Sequence, residues 1–136
     1  NAKANSIKFN GIDLINFLID NGLSFGNKVV IQIGVPNWIK NNITYSSRCL
    51  RGLVDTDGGA FFHKYKVNGK EYQYLKINFT NVSRPLLKFV YDTLMALGFT
   101  PKYQSYNKVW LYRKDDVLRY FEVVGSSNYR LISKLK

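Results

Sequence analysis

The sequence has very few of the residues that build disulfide frameworks and zinc sites. Cys49 is the single cysteine and His63 the single histidine among 136 residues. Disulfides need cysteine pairs, and a structural zinc site needs about four cysteine or histidine ligands, so both are excluded. His63 is better explained as an exposed ring or a nucleic-acid contact than as a zinc ligand. We expect an intracellular, reducing location, whether cytoplasm, nucleoid or organelle.

Long apolar runs are absent, and acidic residues are scarce. No stretch approaches the roughly 18 apolar residues of a membrane-spanning helix, and no signal-peptide pattern is present. Nine Asp and Glu stand against twenty Lys and Arg, which leaves a net charge of +11. We therefore expect no membrane partner. A charge of this size favours a polyanion, and nucleic acid is the first candidate.

What the chain does have is enough apolar content for a core and many aromatic residues. Hydrophobic residues make up 46% of the sequence, which supports one ordinary domain. Aromatics make up 15%, and ten of them are tyrosines. Tyrosine combines stacking area with a hydroxyl group, which suits a hydrated interface.

Residues 1–34 read as a separate helical segment ahead of the main domain. Asn10 is the expected N-cap of a helix whose apolar residues recur at helical spacing until Gly22 ends it. We expect the apolar side of this helix to face a core, and residues 29–33 to be extended. Pro36 then lies near the start of a short helix.

The chain is organised around the stretch from Leu50 to Gly59, Leu-Arg-Gly-Leu-Val-Asp-Thr-Asp-Gly-Gly. We expect Ser46 or Ser47 to cap the helix that leads into it. A glycine inside a helix costs about 1 kcal/mol, so Gly52 indicates that another backbone approaches closely there. Either a partner helix or a tight crossing within the domain explains it.

Three interpretations compete for Asp55 and Asp57. A calcium loop of the EF-hand type requires other residues where Gly59, Ala60 and Lys66 stand, so it is excluded. The second interpretation is an acidic turn that only ends a helix. The third is a site for a hard cation such as Mg²⁺, which prefers carboxylate oxygens and keeps much of its water. One carboxylate is too few for a two-metal site.

Two strand-like runs, residues 60–67 and 70–80, flank the hairpin signal Asn68-Gly69. A two-residue turn sets Val67 opposite Lys70 and fixes every other pair. One side of this ribbon is then aromatic and basic. The other side is expected to supply the core through Ala60, Phe62, Leu75, Ile77 and Phe79.

The remaining elements complete an α+β pattern. Ser83 is the expected cap of a helix that ends at Gly98, and a weaker hairpin turns around Asn107 and Lys108. Asp115 or Asp116 is expected to cap the next helix, which Gly125 closes, and a last short helix begins near residues 127–128. We therefore expect a four-stranded, mostly antiparallel sheet with helices on one face.

The stretch from Leu50 to Gly59, the Val-Pro-Asn-Trp-Ile lead-in and residues 124–128 resemble the LAGLIDADG homing endonucleases, in their intein- and intron-type branch. The resemblance covers residues 35–136 and implies an αββαββα unit with a saddle-shaped sheet. It implies a site-specific endonuclease that hydrolyses double-stranded DNA with Mg²⁺ or Mn²⁺. It also implies a second motif copy, either from a homodimer or from a missing half of a parent chain, of which residues 1–34 resemble the tail.

The resemblance implies roles for individual residues. Asp57 and the backbone carbonyl of Thr56 are expected to bind metal, with Asp55 mainly structural, and Asn81 to orient the attacking water. Lys134, or alternatively Arg130, is the expected late basic residue of the catalytic set. The helix interface is expected to use Leu50, Gly52 and Leu53. The expected DNA contacts lie on or beside the two hairpins: His63, Lys64, Tyr65, Lys66, Tyr72, Tyr74, Lys76, Asn78, Lys102, Lys108 and Arg113.

A second function fits the same resemblance. A nucleic-acid binder of this fold that does not cleave, such as an RNA-splicing maturase or a transcription regulator, would keep the sheet and lose the chemistry. Retention of Asp57 favours the nuclease, and a dependence of cleavage on divalent metal separates the two.

Overall fold

The computed structural model describes residue 8 and residues 10–27 and 29–135. Six helices and four strands are present in this part of the chain, in an α+β arrangement. In chain order they are α1 Ile12–Asp20, α2 Asn37–Lys40, α3 Ile43–Asp57, β1 Gly58–Val67, β2 Lys70–Thr80, α4 Arg84–Ala96, β3 Lys102–Tyr103, β4 Lys108–Leu111, α5 Lys114–Val123 and α6 Tyr129–Ile132, followed by a 3₁₀ turn at Ser133–Leu135.

The sheet follows the predicted hairpin register. Val67 pairs with Lys70, and Tyr65 pairs with Tyr72. Asn68 and Gly69 both have positive φ values, 49° and 78°, as a type I′ turn requires. The strand order is β1-β2-β4-β3, and every neighbouring pair is antiparallel. The predicted four-stranded antiparallel sheet is confirmed.

The core lies between one face of this sheet and helices α3, α4 and α5. From the sheet, Leu75, Ile77 and Phe79 of β2 are buried. Phe62, expected beside them, is exposed because the outer half of the ribbon extends past the helices. The helices contribute a larger apolar set: Leu50, Val54, Leu87, Phe89, Val90, Leu94, Val117 and Tyr120.

The starts of α3 and α5 differ from the sequence prediction. The motif helix α3 begins a turn earlier than expected, because the Asn42 side chain accepts hydrogen bonds from the backbone N–H groups of Thr44 (3.0 Å) and Tyr45 (3.1 Å). Ser46 is instead buried within the helix, and its hydroxyl donates to the Ile39 carbonyl at 2.9 Å.

Neither Asp115 nor Asp116 caps α5, which begins at Lys114 without a side-chain cap. Asp116 is buried and accepts hydrogen bonds from the Thr100 backbone N–H, at 3.1 Å, and from the Thr100 hydroxyl. This aspartate therefore ties α5 to the loop ahead of β3. By contrast, the Ser83 cap and the ends of α4 and α5 before Gly98 and Gly125 are confirmed.

The N-terminal segment departs most from prediction. Helix α1 has Gly11 at its N-cap instead of Asn10, and none of its residues is buried. Residues 29–32 form turns and not a strand. Gly22 does end the helix as expected. None of the described helices is long and apolar enough to cross a bilayer.

Leu50 and Leu53 provide a test of which side of α3 faces the core. Leu50 is 0% exposed and Leu53 is half-buried. We expect Leu50→Ala to lower the free energy of unfolding by about 2–5 kcal/mol in urea denaturation. The matched Leu53→Ala change should cost clearly less, and equal losses would contradict this orientation of the helix.

Candidate functional site

Asp57 is the last residue of the motif helix, and β1 begins at the next residue. This abrupt change from helix to strand requires Gly58, where a Cβ atom would lie 2.4 Å from the Val54 carbonyl oxygen. At Gly59 a Cβ atom would lie 2.5 Å from the Phe61 ring. The two glycines therefore allow α3 to deliver the Asp57 carboxylate directly at the edge of the sheet.

Asn81, the residue after β2, lies against Asp57. Its side-chain Nδ2 donates to Asp57 Oδ2 at 2.9 Å, while its Oδ1 accepts from the Ser83 backbone N–H at 2.8 Å. The Asn81 backbone N–H also donates to the Asn107 carbonyl at 3.1 Å. These contacts fix which way the amide group points. The structure thus brings together two predicted site residues that are 24 positions apart.

Asp55 has a different environment from Asp57. Its carboxylate accepts from the Ser126 hydroxyl at 2.5 Å and from the Ser127 backbone N–H at 2.7 Å. Asn128 Nδ2 donates to its backbone carbonyl at 2.6 Å. Arg51 adds a second link, with Nε 3.9 Å from the Asp55 carboxylate and Nη2 bonded to the Ser127 hydroxyl. Asp55 therefore joins α3 to residues 126–128.

The oxygen atoms around Asp57 suit a hard divalent cation. Asp57 is exposed, and the Thr56 hydroxyl turns back to donate to the carbonyls of Gly52 (3.1 Å) and Leu53 (3.0 Å). The Thr56 hydroxyl is therefore bonded within the helix. The Thr56 backbone carbonyl lies in the last helical turn, where carbonyl oxygens have no partner inside the helix, so this oxygen can bind a cation. Among the described residues, no group of three or more His, Cys, Asp or Glu side chains is assembled. Asp57 and the Thr56 carbonyl provide two oxygen donors in one chain.

The sheet face away from the helices carries a ladder of aromatic rings. Tyr65 and Tyr72 stack with centroids 5.3 Å apart, and His63 meets Tyr74 edge-on at 5.3 Å. The Lys76 Nζ lies 5.0 Å from the Tyr74 ring centroid and 4.8 Å from that of Tyr112. We call this surface the open face; its residues in strands β1, β2 and β4 include Phe61, His63, Tyr65, Lys70, Tyr72, Tyr74, Lys76 and Trp110, and Tyr112 follows β4.

Comparison with protein families identifies the domain that contains the acidic stretch. The model of the LAGLIDADG-like domain matches residues 44–130, from the first turn of α3 into α6. The chain belongs to this LAGLIDADG family. No curated protein matches the chain. The expected αββαββα unit is confirmed as α3 to α5, and the division at residue 34 stays a prediction.

Three of the expected DNA contacts, Lys64, Lys66 and Asn78, do not lie on the exposed part of the open face. Lys64 and Lys66 pair with Gln73 and Glu71 on the opposite side of the ribbon from His63, and Lys64 Nζ lies 3.8 Å from Glu71 Oε1. Asn78 is on the open face but only 7% exposed, since it lies between Gly59 and Trp110 on the neighbouring strands. The roles of these three residues as DNA contacts stay predictions.

Lys102 and Lys108 do lie on the open face, because they pair with Trp110 and Thr80. Arg113 is exposed at the N-cap of α5. The open face also contains Tyr112, whose hydroxyl donates to Gln104 Oε1 at 3.1 Å. Burial raises the pKa of Tyr112, and Tyr74 adds to this effect, so the hydroxyl stays protonated as a donor. The sequence prediction misses Trp110 and Tyr112 as residues of the open face, because the turn expected around Asn107 and Lys108 does not form: Lys108 begins β4, and Tyr103 pairs with Val109.

Lys134 and Arg130 are the two candidates for the late basic residue that the family resemblance implies. The Lys134 Nζ lies 5.8 Å from the centroid of the Phe62 ring, which shares the side of the ribbon opposite to His63. Arg130 is exposed, and its backbone N–H donates to the Asn128 side chain at 3.0 Å. Among the described residues, neither cation pairs with Asp57 within 4.0 Å. Their catalytic roles stay predictions.

One side of helix α3 is only partly covered in the described chain, where Cys49 and Leu53 touch the margin of the core. Leu50, expected at the helix interface, is fully buried in the core of its own unit. A Cβ atom built on Gly52 meets nothing within 4 Å. Burial raises the pKa of the Cys49 thiol. We call the following side the open stripe of α3: Tyr45, Arg48, Cys49, Gly52, Leu53 and Thr56.

The two acids of the motif should separate stability from activity. We expect Asp55→Asn to lower the free energy of unfolding by about 1.5–3 kcal/mol, because the bonds from residues 126 and 127 lose their charged acceptor. Asp57→Asn should change it by less than about 0.5 kcal/mol, as for an ordinary surface substitution. Urea denaturation of both variants checks this, and a larger loss for Asp57→Asn would refute the assignment.

Proposed function

We propose that the chain is a site-specific endonuclease unit that hydrolyses phosphodiester bonds of double-stranded DNA with Mg²⁺ or Mn²⁺. The observation that carries the proposal is the contact between Asn81 and Asp57, at the sheet edge where the motif helix ends. The net charge of +11 supports a polyanionic substrate. Family membership supports nuclease chemistry.

Each residue of the site has a defined task in this proposal. Asp57 and the Thr56 carbonyl hold the cation, and Asn81 keeps the carboxylate oriented while its amide directs the attacking water. A bound divalent ion supplies charge neutralisation at the phosphate and lowers the pKa of a coordinated water. Lys134 or Arg130 stabilises negative charge at the cleaved bond.

The open face of the sheet contacts the DNA. A two-stranded ribbon fits the major groove, where side chains meet base edges and flanking cations neutralise phosphates. Tyr65, Tyr72 and Tyr74 present rings and hydroxyl groups on this side. Lys70, Lys76, Lys102 and Lys108 share it, and Arg113 lies next to it.

A second motif helix is needed to complete the enzyme. The open stripe of α3 is where it packs, because Gly52 lets another helix backbone approach without meeting a side chain. The second helix brings a second acid beside Asp57, which gives the oxygen-rich site that one chain lacks. Each of the two paired helices then ends in an acidic residue beside one scissile phosphate, so both DNA strands are cleaved.

One observation favours the alternative of a nucleic-acid binder without cleavage. Among the described residues, no cationic side chain forms an ion pair with Asp57 within 4.0 Å, and no cluster of three metal-binding side chains is present. A maturase or transcription regulator of this fold would keep the open face and need no metal. Salt titration of binding does not separate these functions, since both release counterions.

Metal-dependent cleavage by the wild-type protein is the deciding measurement. We expect a library of long DNA duplexes to be cut at defined sites with Mg²⁺ and left intact in EDTA. Asp57→Asn should lower the cutting rate by 100-fold or more, on the order of 3 kcal/mol in activation free energy, because the carboxylate that holds the metal is lost. The affinity of this variant for DNA should stay unchanged. Cleavage that persists in this variant would remove Asp57 from the site, and cleavage by the wild type in EDTA would contradict the dependence on a divalent metal.

Gly52 tests the helix pairing with opposite effects on stability and activity. We expect Gly52→Ala to raise the free energy of unfolding of the isolated chain by roughly 0.5–1 kcal/mol, since alanine is the better helix former and its methyl group meets nothing. The same change should reduce cleavage, because the methyl group holds the two helices apart. Thermal unfolding and cutting rates are compared, with Thr56→Ala as a control on the same stripe. Unchanged cleavage in Gly52→Ala would argue against a helix crossing here.

A further inference from the structure

A groove of about 1030 Å³ runs along the outer side of α4. Residues of α4 form most of its lining, from Arg84 at the start of the helix to Ala96 at its end. The end of α2 and the first turn of α3 contribute Lys40 and Ile43. This volume is typical of a ligand site. We call this surface the α4 groove.

The α4 groove lies on the side of the sheet opposite to the open face. Lys102 of β3 pairs with Trp110 on the open face. Tyr103 is the next residue and pairs with the buried Val109, so it lies on the helix side. Its ring lines the groove and stacks on Tyr91 of α4, with centroids 4.6 Å apart. A ligand in the groove and DNA on the open face therefore occupy different sides of the sheet.

The lining of the groove is largely apolar and open to solvent. Ile43 is 50% exposed and Tyr106 is 78% exposed. Pro85 and Ala96 are exposed on α4. Covering such a surface with apolar groups of a ligand is favourable, at roughly 25 cal/mol for each Å² of apolar area.

The charged residues of the groove are mostly cations. Lys40 and Arg84 are exposed, and among the described residues neither forms an ion pair within 4.0 Å. Lys88 Nζ lies 2.7 Å from the Asp92 carboxylate. Asp92 is the single acid of the lining within the described part of the chain. Lys40 and Arg84 therefore remain available for anionic groups of a ligand.

This combination favours an acidic peptide over a nucleic acid. A nucleic-acid strand carries a phosphate at every nucleotide and needs cations along its whole path. The groove offers two cations without an acidic partner, and the Asp92 carboxylate repels phosphates. An acidic peptide can place carboxylates on the two cations and a large apolar side chain on the lining. The 13 residues of α4 span about 20 Å, the length of about six residues of extended peptide.

We propose that the α4 groove is a docking site for a short acidic segment of a protein partner. Carboxylates of this segment pair with Lys40 and Arg84, and a large apolar side chain packs against Ile43. The segment binds while the open face holds nucleic acid. Docking uses neither Asp57 nor a metal, so it is independent of the proposed nuclease function.

Selection from a displayed library of random peptides identifies such a segment without assuming its sequence. The wild-type 136-residue chain is the target, at physiological ionic strength. We expect the retained peptides to carry Asp and Glu around a large apolar residue. Retained peptides without acidic residues would overturn the proposal, and so would a selection that retains none.

Charge reversal shows where a selected peptide binds. Its affinity is measured by fluorescence anisotropy of a labelled copy. Lys40→Glu with Arg84→Glu should raise the Kd by about tenfold or more, because two ion pairs become repulsive contacts. Glutamate suits the first turn of α4, so we expect this double variant to keep its Tm.

A second double variant controls for the total charge. Lys8→Glu with Lys114→Glu makes the same change in net charge at exposed positions outside the groove. It should change the Kd by less than about twofold, since distant surface charges are screened. Equal losses in the two double variants would show that the peptide responds only to the overall charge and would overturn the proposal.

Ile43→Ser tests the apolar contact without changing any charge. It should raise the Kd roughly fivefold, because the apolar side chain of the peptide loses part of its contact surface. Met95 is also 50% exposed but lies outside the groove, so Met95→Ser is the matched control and should leave the Kd unchanged. Equal effects of the two substitutions would contradict docking against Ile43.

Competition with poly(U) RNA tests the other class of ligand. We expect the peptide to stay bound in excess RNA, because the two ligands use different sides of the sheet. Displacement of the peptide by the RNA would assign the groove to nucleic acid and overturn the proposal.

Discussion

The position of Asp57 depends on how the last turn of α3 is held against residues 126–128. Asp55 accepts two hydrogen bonds through its carboxylate, and Asn128 donates a third to its backbone carbonyl. Bonds to a charged acceptor are about twice as strong as neutral ones. Three residues after Asp55, Gly58 turns the chain into β1 with no loop between. The neighbours of Asp57 along the helix therefore fix the position of its backbone. Its side chain stays exposed and, among the described residues, accepts a hydrogen bond from Asn81.

The outer half of the ribbon has no helix beneath it, so contacts within the ribbon must stabilise it. An isolated two-stranded hairpin is marginally stable, and cross-strand pairs on its surface contribute roughly 0.2–1 kcal/mol each. The Tyr65–Tyr72 stack and the Lys76 contacts with two rings are such pairs. The rings that present the open face to a ligand also hold the ribbon in shape. Lys64 and Lys66 fall on the other side, because successive residues of a strand alternate between faces.

Local chemistry made much of this fold predictable from the sequence. The Asn68-Gly69 turn fixes the register of ten residue pairs, and the Ser83 cap depends on residues within one turn. The failures have a common cause in distant partners. Asp116 resembles a cap until Thr100 is known to bond it, and nothing near Arg51 reveals Ser127. Leu50 and Leu53 are both apolar and three residues apart, so only the packed structure shows which one faces the core. Asn81 was found through family resemblance, because no spacing rule links it to Asp57.

Charge sets a condition on how two motif helices come together. A unit with a net charge of +11 repels another of its kind, and the open stripe of α3 itself carries Arg48. Screening at physiological ionic strength acts over about 8 Å, so charges that face each other across a helix crossing remain partly unscreened. A polyanion bound along both sheets offsets this repulsion. Binding and pairing then favour each other by the same factor, as linkage requires.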